Sequence, residues 1–168
     1  MMKKTIILLT LMAVALAAGM LFVSCKQSPE EEQRKALDGT WVNIEETSYD
    51  KIETTYTFNN GNYEVQHQWT SKTSPSSPSI FKIKGTCTTS GSLLTMVPTH
   101  EWGPIYGSLN EEKWYSISEI KQAYKDNFGS SWTAEYEKSF EEEYGPQTTA
   151  FSVSGSTLYI GDEKYTKK

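Results

Sequence analysis

Ile52-Glu53-Thr54-Thr55-Tyr56-Thr57-Phe58-Asn59-Asn60-Gly61-Asn62-Tyr63-Glu64-Val65-Gln66-His67-Gln68-Trp69 is the stretch that decides the fold. Ile52, Thr54, Tyr56 and Phe58 fall on one face of an extended chain, and Glu53, Thr55, Thr57 and Asn59 on the other. A period of two is the pattern of a sheet with one buried side. Asn60-Gly61 supplies the positive φ that a tight hairpin turn demands. Tyr63, Val65, His67 and Trp69 then alternate with Asn62, Glu64, Gln66 and Gln68, which completes an antiparallel hairpin with one aromatic face.

The same reading extends along the chain. Ser71 to Ser79 is a Ser, Thr and Pro loop, after which Phe81, Ile83 and Cys87 share a face, the chain turns at Ser90-Gly91, and Leu94 and Met96 lie on the return strand. A third hairpin begins near Thr148, carries Phe151 and Val153, turns at Ser154-Gly155 and returns through Leu158 and Ile160. Thr89 to Leu94 lines up with Val153 to Leu158 as a repeated hairpin unit, with a period too irregular for a solenoid. A last short strand over Lys164 to Thr166 has Tyr165 as its buried candidate.

Two intervals break the alternation. Val97 to Lys113 contains two Pro, two Gly, Trp102, Ile105 and Tyr106, and reads as too irregular for a ladder and too aromatic for a linker. Ser116 and Glu119 form a capping box ahead of Ile117, Ile120, Tyr124 and Phe128 at helical spacing. Beyond Gly129, Trp132, Tyr136, Phe140 and Tyr144 recur every fourth residue until Gly145-Pro146 stops the helix. This pair of helices, 117–144, is expected to pack as a lid or flank, with Glu141 to Glu143 as a solvated face.

Upstream, Ser28 as N-cap, Pro29 at the first helical position and Glu31 three residues after the cap predict a short helix from Pro29 to Leu37, ended by Gly39. Before it, Lys3 and Lys4 precede an apolar run from Thr5 to Val23 that closes on Ser24, the layout of a secretory signal peptide. On length alone the run could also span a membrane, and the cysteine that follows arbitrates.

Composition narrows the function. Without residues 1–24 the formal charge moves from −5 to −7, with 14 Lys and Arg against 21 Asp and Glu. Such a surface does not attract nucleic acid or anionic lipid. Aromatic residues make up 12 % of the chain, including five Trp and ten Tyr, so the core is rich in rings with polar tips. Cys87, in an apolar alternating stretch, reads as a small buried hydrophobe, and no disulfide is expected once Cys25 is modified. There is no phosphate loop, no zinc-type spacing and no nucleophile motif, so neither an enzyme nor a cofactor nor a metal is expected. His67 lies on the inward face, while His100 and Glu101 lack a third partner for a metal.

Two resemblances sharpen these expectations. Leu21-Phe22-Val23-Ser24-Cys25 resembles the lipobox of bacterial lipoproteins, with Phe22 at the place where Leu is most usual. The resemblance implies cleavage before Cys25 and acylation of its thiol, hence a chain held to a membrane of the cell envelope. Lys26, rather than the Asp that retains some lipoproteins at the inner membrane, favours the outer membrane. Leu37-Asp38-Gly39-Thr40-Trp41 ahead of the first strand resembles the opening Gly-x-Trp signature of lipocalins. Tyr56 to Gly61 and Gly85 to Gly91 are similar to bacterial lipocalin-like lipoproteins. That resemblance implies a mainly β chain, an up-and-down antiparallel barrel of about eight strands, with the helical insertion before the last hairpin. It also implies that Trp41 packs across the barrel floor near an Arg of the last strand, where this chain offers Lys164, Lys167 and Lys168.

The expected organisation is a signal peptide over 1–24, a lipidated tether and short helix over 25–36, and a barrel domain over 37–168. The expected function is binding of a small apolar or amphipathic ligand by Tyr56, Phe58, Tyr63, His67, Trp69 and Phe81, with Trp102 and Tyr106 from the aromatic loop. The alternative is a scaffold that binds another envelope or host protein through its loops and helical insertion.

Overall fold

The structure is a computed structural model that describes residues 28–105 and 108–168. The expected signal peptide over 1–24, Cys25 and Tyr106 lie outside the described residues. Helix α1 (Pro29–Leu37) starts where expected: the Ser28 side chain accepts the Glu31 N–H at 3.3 Å, and Glu30, Glu31 and Glu32 sit in the first turn, where the helix dipole favours negative charge.

Among the described residues nine strands follow: β1 (Gly39–Glu46), β2 (Asp50–Asn59), β3 (Asn62–Ser71), β4 (Ser79–Ser90), β5 (Leu93–Trp102), β6 (Trp114–Ser116), β7 (Gln147–Ser154), β8 (Thr157–Ile160) and β9 (Glu163–Lys167). Apart from β6, each pairs antiparallel with its neighbour along the chain, β5 passing directly to β7, and β9 returns to β1 through Trp41↔Lys167 and Val42↔Thr166. The result is a closed, up-and-down barrel of eight strands. The short β6 is an addition outside the ring, paired with the end of β5.

Turn chemistry sets the register. Asn60 at φ 51° and Gly61 at φ 80° make the β2–β3 turn, and Asn59↔Asn62 closes it. The next two hairpins turn one residue later than expected, at Gly91-Ser92 and Gly155-Ser156, each glycine with φ near +58° at the first central position: 57° and 58°.

One expectation fails. Val97 to Trp102 is not irregular but continues β5, paired with β4 across a register shift between Lys84 and Gly85. Thr99 is the extra residue of this bulge, and its hydroxyl donates to the Lys84 carbonyl at 3.2 Å. The strands cross closely there: a Cβ on Gly85 would lie 2.0 Å from the Val97 carbonyl oxygen. A bulge shifts the period of two by one residue, so His100, Glu101 and Trp102 lose the alternation that marks a strand.

The insertion comprises α2 (Ile117–Phe128), a 3-10 turn (Gly129–Ser131) and α3 (Ala134–Tyr144). Ser116 and Glu119 form the complete capping box of α2. The aromatic stripe packs inward on itself: Tyr115, Ile120 and Phe140 are buried, with Ile117, Tyr124, Trp132 and Tyr144 against them. Lys121 bridges Glu137 and Glu141 at 2.5 and 3.1 Å. The pair flanks β5 and β6.

Candidate functional site: the open end of the barrel

The two ends of the barrel differ. At the floor, Leu37 of α1 and Trp41 of β1 are 1 % and 0 % exposed, and the Trp41 indole N–H donates to the Leu37 carbonyl at 2.7 Å. Lys167 sets its ammonium 4.9 Å from the centre of the Trp41 ring and donates to the Asp38 carbonyl at 3.0 Å. The Asp38 carboxylate in turn accepts the Asn60 N–H at 2.9 Å. Phe58, Tyr63, Leu94, Leu158 and Tyr165 fill the space above. This end is closed by packing.

Cross-strand register shows what happens at the other end. On the inner face Trp41, Tyr56, Val65, Ile83 and Glu101 form one row across five strands. The next row is Asn43, Thr54, His67 and Phe81, and the outermost is Glu45, Ile52, Trp69 and Ser79. β2 and β3 have ten residues each and β4 has twelve, but β8 and β9 have only four and five. The tall wall therefore stands above the short one, and its upper inner face meets solvent. Ile52, Phe81 and Trp69 point to the barrel interior yet are 37 %, 40 % and 54 % exposed. Exposed apolar side chains on the concave side of a sheet are the unusual observation here, since scattered ones on a convex surface are ordinary.

Beneath this rim lies a polar layer. Thr54 Oγ1 and His67 Nδ1 are 3.0 Å apart, and the His67 ring lies 6.1 Å from that of Phe81. Burial lowers the His67 pKa, an effect that the Glu163 charge opposes. Glu163 shares the inner face with Tyr165, whose hydroxyl donates to it. Tyr56 is pushed up to about 12, first by desolvation and then by Glu163. On the β5 side the buried Glu101 accepts the Tyr144 hydroxyl at 2.6 Å, which ties α3 to the barrel wall. Desolvation raises the Glu101 pKa against the lowering effect of that bond.

The expected ligand contacts are thus split. Tyr56, Phe58 and Tyr63 belong to the packed core, with Tyr56 and Phe58 stacked at 5.6 Å. His67, Trp69 and Phe81 come together at the open end. Trp102 is elsewhere: it neighbours the inward Glu101 and lies on the outer wall, with Lys82 5.2 Å above its ring and Trp114 at 5.6 Å. Ile52, Thr54 and Glu163 are the site residues that sequence reasoning did not select. The period of two already placed the first two on the right face, whereas only strand closure brings Glu163 opposite His67.

Cys87 is buried, with its thiol pushed up to about 11 by desolvation and by Asp38. Among the described residues no group of three His, Cys, Asp or Glu is arranged to hold a metal ion, and no helix is long and apolar enough to cross a membrane. His100 faces the outer wall, in register with Lys84, beside a recess of about 340 Å³. No protein-family model, curated protein or solved structure matches this chain.

Proposed function

We propose that this chain is a lipid-anchored lipoprotein of the bacterial cell envelope whose barrel binds a small apolar or amphipathic ligand at its open end. The observation that carries the ligand reading is the exposure of Ile52, Trp69 and Phe81 on the concave face above a closed floor. Burying such side chains releases roughly 25 cal/mol per Å² of apolar surface, so a ligand in this cleft gains affinity from surface that folding has left wet. Supporting the resemblance to lipocalins, Trp41 lies on the floor and a cation of the last strand, Lys167, sits against its ring.

The anchor reading rests on the lipobox-like segment. Cys25 precedes Ser28 by three residues, a span of at most about 11 Å, and α1 lies against the floor, where the Glu30 carbonyl accepts from Thr89. An acylated Cys25 would hold the floor near the bilayer and point the open end away from it. Cells fed labelled palmitate should yield labelled wild-type protein and unlabelled Cys25→Ala; label that survives the substitution refutes the anchor. For the ligand, native mass spectrometry of full chain purified from its own cells should show bound mass that Trp69→Ala and Phe81→Ala reduce. A ligand-free spectrum together with no uptake of added apolar probes refutes it.

A second reading, a scaffold for a protein partner, is favoured by one observation. Tyr136 is 51 % exposed on the insertion, stacked with Phe128 and Trp132 at 5.5 and 6.4 Å. Deletion of Ile117 to Tyr144 would then abolish partner capture and leave the barrel folded.

A further inference from the structure

The chemistry of the ligand follows from the charges that face it. Above the Trp41 row, the inward positions of β1 to β4 carry Glu45, Thr54 and His67 beside the three exposed apolar side chains, and Glu163 joins them from β9. None is Lys or Arg. Lys51 and Lys82 belong to these strands but alternate onto the outer face, and Lys167 is held at the floor. Among the described residues neither Glu163 nor Glu101 pairs with a cation. The Glu163 carboxylate is exposed at the mouth and takes one hydrogen bond, from Tyr165, which leaves acceptor capacity toward the cleft.

We propose that the open end selects small cationic amphiphiles, with an ammonium group against Glu163 and an apolar chain against Ile52, Trp69 and Phe81. This rests on the ligand-binding reading above and adds the sign of the headgroup. A carboxylate-headed ligand would set like charge against Glu163 and Glu45 with no inward cation to receive it. An ammonium group instead gains a charge-assisted hydrogen bond in a partly desolvated place, and its chain covers the three exposed side chains. Thr54 and His67 supply neutral polar contacts between the two zones.

The test uses the full chain in nanodiscs of zwitterionic lipid, titrated calorimetrically with hexylamine, hexanol and hexanoate after subtraction of empty nanodiscs. Hexylamine should bind about tenfold more tightly than hexanol, with hexanoate weakest. Glu163→Gln should bring hexylamine to within about twofold of hexanol and leave hexanol unchanged. Glu45→Gln, at a surface position outside the core, is the second variant and should weaken hexylamine about twofold. Trp69→Ala should weaken all three alike. If the three bind equally, or hexanoate binds best, the cleft stands and the cationic assignment is overturned. If none binds, the cleft itself is refuted and the assignment with it.

Discussion

Replacing Trp41 by Phe tests the floor of the barrel, on which the open-end reading depends. The indole is fully buried, donates to the Leu37 carbonyl at 2.7 Å, and carries the Lys167 ammonium 4.9 Å from its ring centre. Phe keeps a ring but has no N–H. Loss of the hydrogen bond, with the Leu37 carbonyl left unpaired in an apolar place, costs about 1–2 kcal/mol. The smaller ring leaves a void of roughly 35 Å³, worth about 0.8 kcal/mol at ~24 cal/mol per Å³. A weaker ring–cation attraction removes about 0.5 kcal/mol more. The sum is about 3 kcal/mol. With a urea dependence of about 1.5–2 kcal/mol/M, the midpoint should fall by about 1.5–2 M. Far-UV circular dichroism of the full chain is the readout, because Trp fluorescence would change with the substitution itself. Lys167→Met in each background closes a double-mutant cycle, with a coupling of about 0.5–1 kcal/mol expected between the two residues. A midpoint for Trp41→Phe within about 0.3 M of wild type would refute the argument that the indole N–H locks α1 to the barrel.

Four further outcomes follow from single sites. Burial raises the Glu101 pKa above its ordinary 4.5, so its contribution to stability is fully present below that pH and is lost as pH rises through the folded-state value. Glu101→Gln, which still accepts the Tyr144 hydroxyl, should therefore be more stable than wild type at pH 7 in urea titration, with the gap closing near pH 4. Gly85→Ala should destabilise the barrel by more than about 4 kcal/mol, since a methyl there meets the Val97 carbonyl and the Tyr63 ring. Gly91→Ala, open to solvent at φ 57°, should cost only about 1 kcal/mol. Cys87, its thiol raised from 9 to about 11, should have roughly a hundredfold less thiolate than an ordinary cysteine at pH 8. Peptide mass spectrometry should find it unlabelled by maleimide in the native chain and labelled in urea.

The sequence by itself determined the hairpins, their inward faces and the helices, because each is written in local chemistry. Alternation from Ile52 to Trp69, positive φ at Asn60-Gly61, and the Ser28 and Ser116 caps need no distant partner. The last short strand also marked Tyr165 as a buried candidate, and the resemblance to lipocalins implied Trp41 at the floor. The end of β5 was illegible because the bulge at Thr99 breaks the period of two, and the hydroxyl that Glu101 accepts comes from Tyr144, 43 residues away. Whether the aromatic face was core or pocket was equally illegible. Phe58 and Trp69 lie on the same face of one hairpin with the same alternation, yet one is 2 % and the other 54 % exposed. Only closure of the barrel decides between them. Strands of unequal length, joined through Trp41↔Lys167, leave the upper inner wall without an opposite side, and the same closure brings the Glu163 charge to bear on His67. A side chain's face is a local property of the strand that bears it; what stands across from that face is set by the whole ring.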